Sequence, residues 1–183
     1  MFKVGDNVVY PAHGVAVIEE VVEKKVLGMS IKFFKLRLLF KETKILVPIK
    51  NIETAGIRYL STHKELETFL KELYKPPTKK LIGLDITPSG WNRRNKEYQM
   101  KIQDGLLIEM LQIYRDLMHT SYEKELSFGE RNILHLTEEL ISEEIQQVKK
   151  CDKDIVLQEL RMPFKQFFFH DHKNLKLVSS SST

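Results

Sequence analysis

The stretch SGWNRRNKEYQMK, residues 89–101, sets the chain's single tryptophan among cations. Trp91 is followed by Arg93, Arg94, Lys96 and Lys101, with Glu97 as the one opposing charge in the stretch. On a helix capped by Ser89, the positions sharing Trp91's face are Arg94, Asn95 and Tyr98. The turn below the indole is polar, so Trp91 continues no apolar stripe. Guanidinium and ammonium groups pair with phosphates, and a large flat ring stacks on bases or wedges between them. Trp91, Arg93, Arg94, Lys96 and Lys101 are therefore candidate nucleic-acid contacts. A competing reading folds Trp91 back onto Leu84 or Ile86 as a helix-entry staple, since aromatic side chains usually find burial.

Other chemistry is sparse. There is no G-x-G-x-x-G, Walker P-loop, G-x-S-x-G or H-E-x-x-H. His170 and His172 in HDH lack a third ligand at metal-site spacing, and His13 sits in a PAHG turn. With no acid–base, nucleophile or metal cluster, the expectation is a protein that is not an enzyme and takes no cofactor or metal. Lys24 and Lys25 lie beside Gly28 at a strand end. They read either as a solvated hairpin end or as a charged contact with an acidic partner surface.

The elements that must position these residues fall into two regions with different periods. Residues 2–58 are rich in Val, Ile and Phe in short runs (NVVY, VAVIEEVVEKK, IKFFKLRLLF, KILVPI) broken by turn residues, which predicts a small antiparallel barrel or curled sheet. In the third run Ile31, Phe33, Lys35 and Arg37 share one face, and Lys32, Phe34, Leu36 and Leu38 the other. Such mixed faces fit a barrel with a contact face or an imperfectly patterned core strand. After Gly56 the period becomes helical. Thr62 with Glu65, and Ser127 with Glu130, form candidate capping boxes. Leu107, Met110, Leu111, Tyr114, Leu117 and Met118 make one helical stripe; Ile133, Leu134, Leu140, Ile141, Ile145 and Val148 make another. Asp104-Gly105 separates two helices, and Asp154 caps a last one ending near Pro163. Residues 75–90 read as linker. The expected domains are residues 1–60, 61–163 and a tail, 164–183.

Composition limits the class. Of 183 residues, 42% are hydrophobic and 30% charged, which suits a soluble globular protein rather than a disordered one. A net charge of +4 and a pI near 9.0 make the clustering of charge more informative than its sum. Cys151 is the single cysteine, so no internal disulfide forms and a reducing cytoplasm is the expected compartment. No apolar run approaches the roughly 18–20 residues that span a bilayer.

Four segments in series resemble the CarD/CdnL family of bacterial transcription regulators: FKVGDNVVYPAHGVAVIEEV at the start, LVPIKNIETAGIR at 46–58, WNRRNKEYQMKIQDG at 91–105 and LSFGERNIL at 126–134. The resemblance implies an α+β, two-domain fold, a Tudor-like antiparallel β barrel followed by an all-helical domain. It implies that the barrel binds the β subunit of RNA polymerase, and that the helical domain contacts promoter DNA at the upstream edge of the open bubble. Trp91 would then be a minor-groove wedge, with Arg93, Arg94 and Lys96 on phosphates beside it. Polymerase-contact positions fall on Lys24, next to Lys25, and on Leu46, just before Val47 and Pro48. Leucine removes a charge there, and lysine lacks the bidentate fork of arginine, which implies a more apolar polymerase interface. The free protein is expected to be a monomer. The alternative is a protein–protein adaptor without direct DNA contact.

Overall fold

The computed structural model describes residues 2–77 and 88–165. The first region is an antiparallel sheet of five strands: β1 (Asn7–Tyr10), β2 (Gly14–Val26), β3 (Met29–Leu38), β4 (Lys44–Pro48) and β5 (Arg58–Tyr59), in the order β4-β3-β2-β1-β5. Val8 and Ile57 near one edge share a core with Ile18, Phe34, Leu36 and Val47 toward the other, so the sheet curls around its own interior. Strand β5 has only two residues, too short to show a period, and was not legible in the sequence.

Alternation in β3 puts Phe34, Leu36 and Leu38 inside. Lys35 and Arg37 take the outer face, where Lys35 Nζ lies 2.7 Å from Glu20 Oε1 and Arg37 Nε 2.6 Å from Glu19 Oε1. The mixed strand is thus a core strand whose outer cations are paired within the sheet. A bulge between Ile18 and Glu20 redirects β2. Beyond it β2 and β3 run on as a largely exposed hairpin. Its tip, Leu27-Gly28, has both φ values positive (50° and 79°), as a two-residue type I′ turn requires.

The helical region comprises α1 (His63–Leu70), α2 (Pro88–Asp104), α3 (Leu107–Glu123), α4 (Phe128–Lys149) and α5 (Lys153–Arg161). Both capping boxes form: Thr62 starts α1 and Ser127 starts α4, each with reciprocal bonds to the glutamate three residues on. Three boundaries differ from expectation. Helix α2 begins at Pro88, whose fixed φ suits a first turn, so Ser89 lies inside the helix rather than capping it. The cap position of α5 is Asp152, and Asp154 sits in its first turn. Phe164, read with the tail, is fully buried and meets the Tyr114 ring edge-on at 6.0 Å. Pro88, Ser89 and Gly90 leave the expected linker for α2; Leu84, Ile86, His170 and His172 lie outside the described residues.

Helix α4 is central. Its apolar stripe of Ile133, Leu140, Ile141 and Ile145 packs into the helical core, while Thr137, Ser142, Glu143 and Glu144 are buried as well. The last two face the sheet. The Val15 N–H donates to Glu143 Oε2 at 3.2 Å. Gly14 is held at φ +104°, and a Cβ added there would stand 1.8 Å from Glu143 Oε2. Glycine is thus required twice, for its backbone angle and for the space the carboxylate occupies. Gly14→Ala is expected to lower unfolding free energy by about 2 kcal/mol or more, from left-handed strain plus overpacking, read in a urea titration.

Burial raises the Glu143 pKa above its ordinary value, against the partial opposition of Lys41 and the Val15 N–H. A carboxyl with a raised folded pKa favours folding most below its unfolded value, near 4.5, and that contribution fades as pH climbs through the folded value. Glu143→Gln keeps an acceptor for Val15 and removes the titration. Its melting temperature should gain on that of the unmodified protein as pH rises from acid toward neutrality, and a pH-independent difference would contradict this assignment.

Candidate nucleic-acid interface

Helix α2 carries the sequence-predicted site on two faces. Trp91 is half-buried and packs, with Tyr98, on the helical core that contains Ile102. Residues 91, 98 and 102 recur at helical spacing, so Trp91 does belong to an inward stripe. The polar Arg94 and Asn95 between them hid that stripe. Burial pushes the Tyr98 hydroxyl up to about 12, with the Asp116 charge adding to the shift. Its ring packs on the helical core.

The seat of the indole is Gly129, the second residue of α4. A Cβ there would lie 2.5 Å from Trp91 Cζ2 and 3.2 Å from Cε2. Only a residue without a side chain lets the ring rest this close to α4. The neighbouring Glu130 side chain is 5% exposed. Burial pushes its carboxyl up, but the Ser127 backbone and hydroxyl and the Lys124 ammonium outweigh burial and hold it below the ordinary range. Ser127 N–H donates at 2.9 Å and Lys124 Nζ at 3.0 Å. Arg94 Nη2 lies 3.9 Å from Glu130 Oε1, with its side chain 11% exposed. Arg94 therefore braces α2 against α4, and its guanidinium is committed to protein rather than presented to solvent.

Arg93 and Lys96 are exposed on the outer face of α2. At about 100° per residue, both stand somewhat less than half a turn around the helix from Trp91. Lys101 is partly shielded and lies 3.7 Å from Glu97, its i,i+4 neighbour. The five candidates thus divide into a seated ring, a brace, two free-standing outer cations and one paired lysine. Sequence reasoning missed Phe128, which is 74% exposed directly before Gly129. A large apolar residue at a helix start, outside the stripe, was the available signal.

On the sheet, Lys24 and Lys25 are exposed along the projecting hairpin, opposite Ile31 and Ser30. Leu46 and Pro48 are half-buried on β4, an edge strand, whereas the Val47 side chain is in the core, 4% exposed. Val47 can offer a partner its backbone, not its side chain. Among the described residues no group of three or more His, Cys, Asp or Glu is placed to hold a metal, and no helix is long and apolar enough to cross a membrane.

A Tudor-like curled sheet joined to a helical region with a basic outer face defines a two-module interaction protein. Residues 2–61 match the family described as the CarD-like/TRCF RID domain, and residues 84–161 match the CarD C-terminal domain. A protein of Bacillus subtilis (strain 168) described as transcription factor YdeB is 28% identical over 149 residues, covering 81% of this chain and 93% of that protein. The chain belongs to the CarD family: it is a CarD-like, RNA polymerase-interacting transcription factor, and such proteins are not enzymes.

Because Trp91 is the single tryptophan, its fluorescence reports on this seat alone. Gly129→Ala should shift the emission to longer wavelength and increase quenching by acrylamide, as the added methyl displaces the ring toward water. An unchanged spectrum would place the ring elsewhere.

Proposed function

We propose that this protein docks on the β subunit of RNA polymerase through its sheet and stabilises the open promoter complex by contacting the upstream edge of the melted DNA through α2. The carrying observation is the half-buried Trp91, seated on Gly129, with Arg93 and Lys96 exposed on the same helix. A helix with its side chains is about 10–12 Å across. A ring on one side and cations on the other can therefore meet a base step and the phosphates flanking it. The rigid seat matters, because a wedge that does not have to be ordered on binding loses less entropy.

Energetics support a tethered helper rather than an independent DNA binder. Melting promoter DNA costs stacking energy, about 1–2 kcal/mol per step. A factor shifts that equilibrium only by its preference for the melted form. A ring that fills a gap present only in distorted DNA has this preference. Anchoring the sheet to polymerase raises the local concentration of the ring at that gap. The two outer cations, Arg93 and Lys96, then suffice for a weak contact, with Arg94 as a brace and Lys101 as a minor contributor. For the sheet, the docking surface would run from Lys24 and Lys25 on the hairpin to the β4 edge at Leu46, Val47 and Pro48.

The test is the lifetime of the open complex formed by purified polymerase. Trp91→Ala should shorten the lifetime conferred by the protein by about tenfold, the loss of a contact of roughly 1–3 kcal/mol, while leaving polymerase affinity unchanged. Equal lifetimes with and without the unmodified protein would refute the proposal. If Arg93 and Lys96 can be replaced by glutamine with no loss of affinity for bubble-containing DNA, the adaptor reading prevails.

A further inference from the structure

One residue of the 46–58 segment, Arg58, takes no part in the interface described above, yet it makes a dense set of polar contacts between the sheet and the helical region. From β5 it donates through Nη1 and Nη2 to Glu144 Oε1 and Oε2 at 2.8 and 2.7 Å, a fork with two parallel bonds. Its Nε donates to the Gly105 carbonyl at 2.9 Å, in the turn between α2 and α3. Glu144 also accepts from Ser61 N–H at 2.9 Å and from the Ser61 hydroxyl at 2.8 Å. The Glu144 side chain is 1% exposed. A charge so buried has defined geometry only while its donors hold their places, because a missing donor leaves it without solvation.

The position of Glu144 on α4 gives this contact its meaning. Gly129, the seat of Trp91, and Glu144, the clamp on the sheet, are fifteen residues apart on one helix, about 22 Å of rise. The same helix therefore holds the ring near one end and the sheet near the other. Pro11 reinforces the join from the β1–β2 turn, close enough to Gly105 that a Cβ there would stand 2.8 Å from its Cγ.

We propose that Arg58 and Glu144 are positioning residues that fix the sheet and α4 in one orientation, so that Trp91 is presented at a set distance and angle from the polymerase-docking face. On this view the protein is a rigid spacer, and each module's separate affinity is insufficient for its effect on the promoter. Linked binding gains most when the linkage matches the span between two sites, and the gain falls as the linkage loosens. The inference rests on the function proposed above for the lifetime measurement, but not for the distance measurement that accompanies it.

The experiment uses the full chain with Cys151→Ser and cysteines placed at the exposed Lys32 and Gln158 for spin labels. Distances are measured by double electron–electron resonance in Arg58→Gln and in Arg58→Gln/Glu144→Gln. The double variant replaces the buried ion pair by a neutral amide pair and guards against simple misfolding, with circular dichroism as the control. Both variants should broaden the distance distribution while polymerase affinity and bubble-DNA affinity stay near those of the unmodified protein. Open-complex lifetime should fall by about tenfold or more, the scale of a lost intramolecular advantage. Unbroadened distances would overturn the latch, and broadened distances with an undiminished lifetime would overturn its role in positioning. If the unmodified protein itself fails to lengthen the lifetime, the proposed function is at fault, and the distances still decide the latch.

Discussion

Two adjacent glutamates toward the C-terminal end of α4 govern the arrangement of this molecule. Glu143 and Glu144 are both nearly inaccessible to water, and each answers to the sheet rather than to the helical core. Burying a carboxylate is costly unless donors replace the water it loses. Glu144 has such donors in the guanidinium of β5 and both polar groups of Ser61. Glu143 has a backbone N–H of β2 on Oε2, while its Oε1 is buried without a hydrogen bond, in keeping with its raised pKa. The requirement works in both directions: the sheet cannot shift without stranding the charges, and α4 cannot rotate without withdrawing them. Gly14 and Gly105 allow the backbones to approach at this contact, one under a carboxylate and the other under a proline.

The same helix imposes a second constraint at its start. Glu130 draws together Ser127, Lys124 and Arg94, closing the capping box and bracing α2 in a single buried carboxylate. Between that carboxylate and exposed Phe128, Gly129 leaves a flat patch of backbone on which Trp91 lies. A tryptophan buried on all sides would add more to stability, since removing apolar surface from water yields roughly 25 cal/mol per Å². This ring gives up part of that gain and remains partly accessible. Firm seating together with incomplete burial is the combination a wedge needs.

Much of this was legible in residue order. Turn residues and β-branched runs marked β1 to β4, reciprocal Thr-x-x-Glu and Ser-x-x-Glu signatures marked the starts of α1 and α4, and the stripes of α3 and α4 are largely buried as patterned. What escaped notice did so for physical reasons. Two residues of β5 carry no period, and the role of Arg58 arises from groups 47 and 86 positions away in the chain. The inward stripe of Trp91, Tyr98 and Ile102 was masked by a polar Arg94 whose charge is satisfied by Glu130 across the helix pair. Glu143 and Glu144 look like an ordinary solvated pair in EELISEEIQQ, since charged residues on an amphipathic helix normally face water.

Local sequence therefore determined the kind of protein: a strand-rich module, a helical module and a cationic stretch around one tryptophan. Propensity, capping and side-chain period act over a few residues and can be read from them. Tertiary structure decided which charges remain for a partner. It committed Arg94 and Arg58 to buried carboxylates, left Arg93 and Lys96 in water, and turned Val47 into the sheet. The reason is that a charge is spent or free according to what lies within about 4 Å of it, and those neighbours arrive from distant parts of the chain.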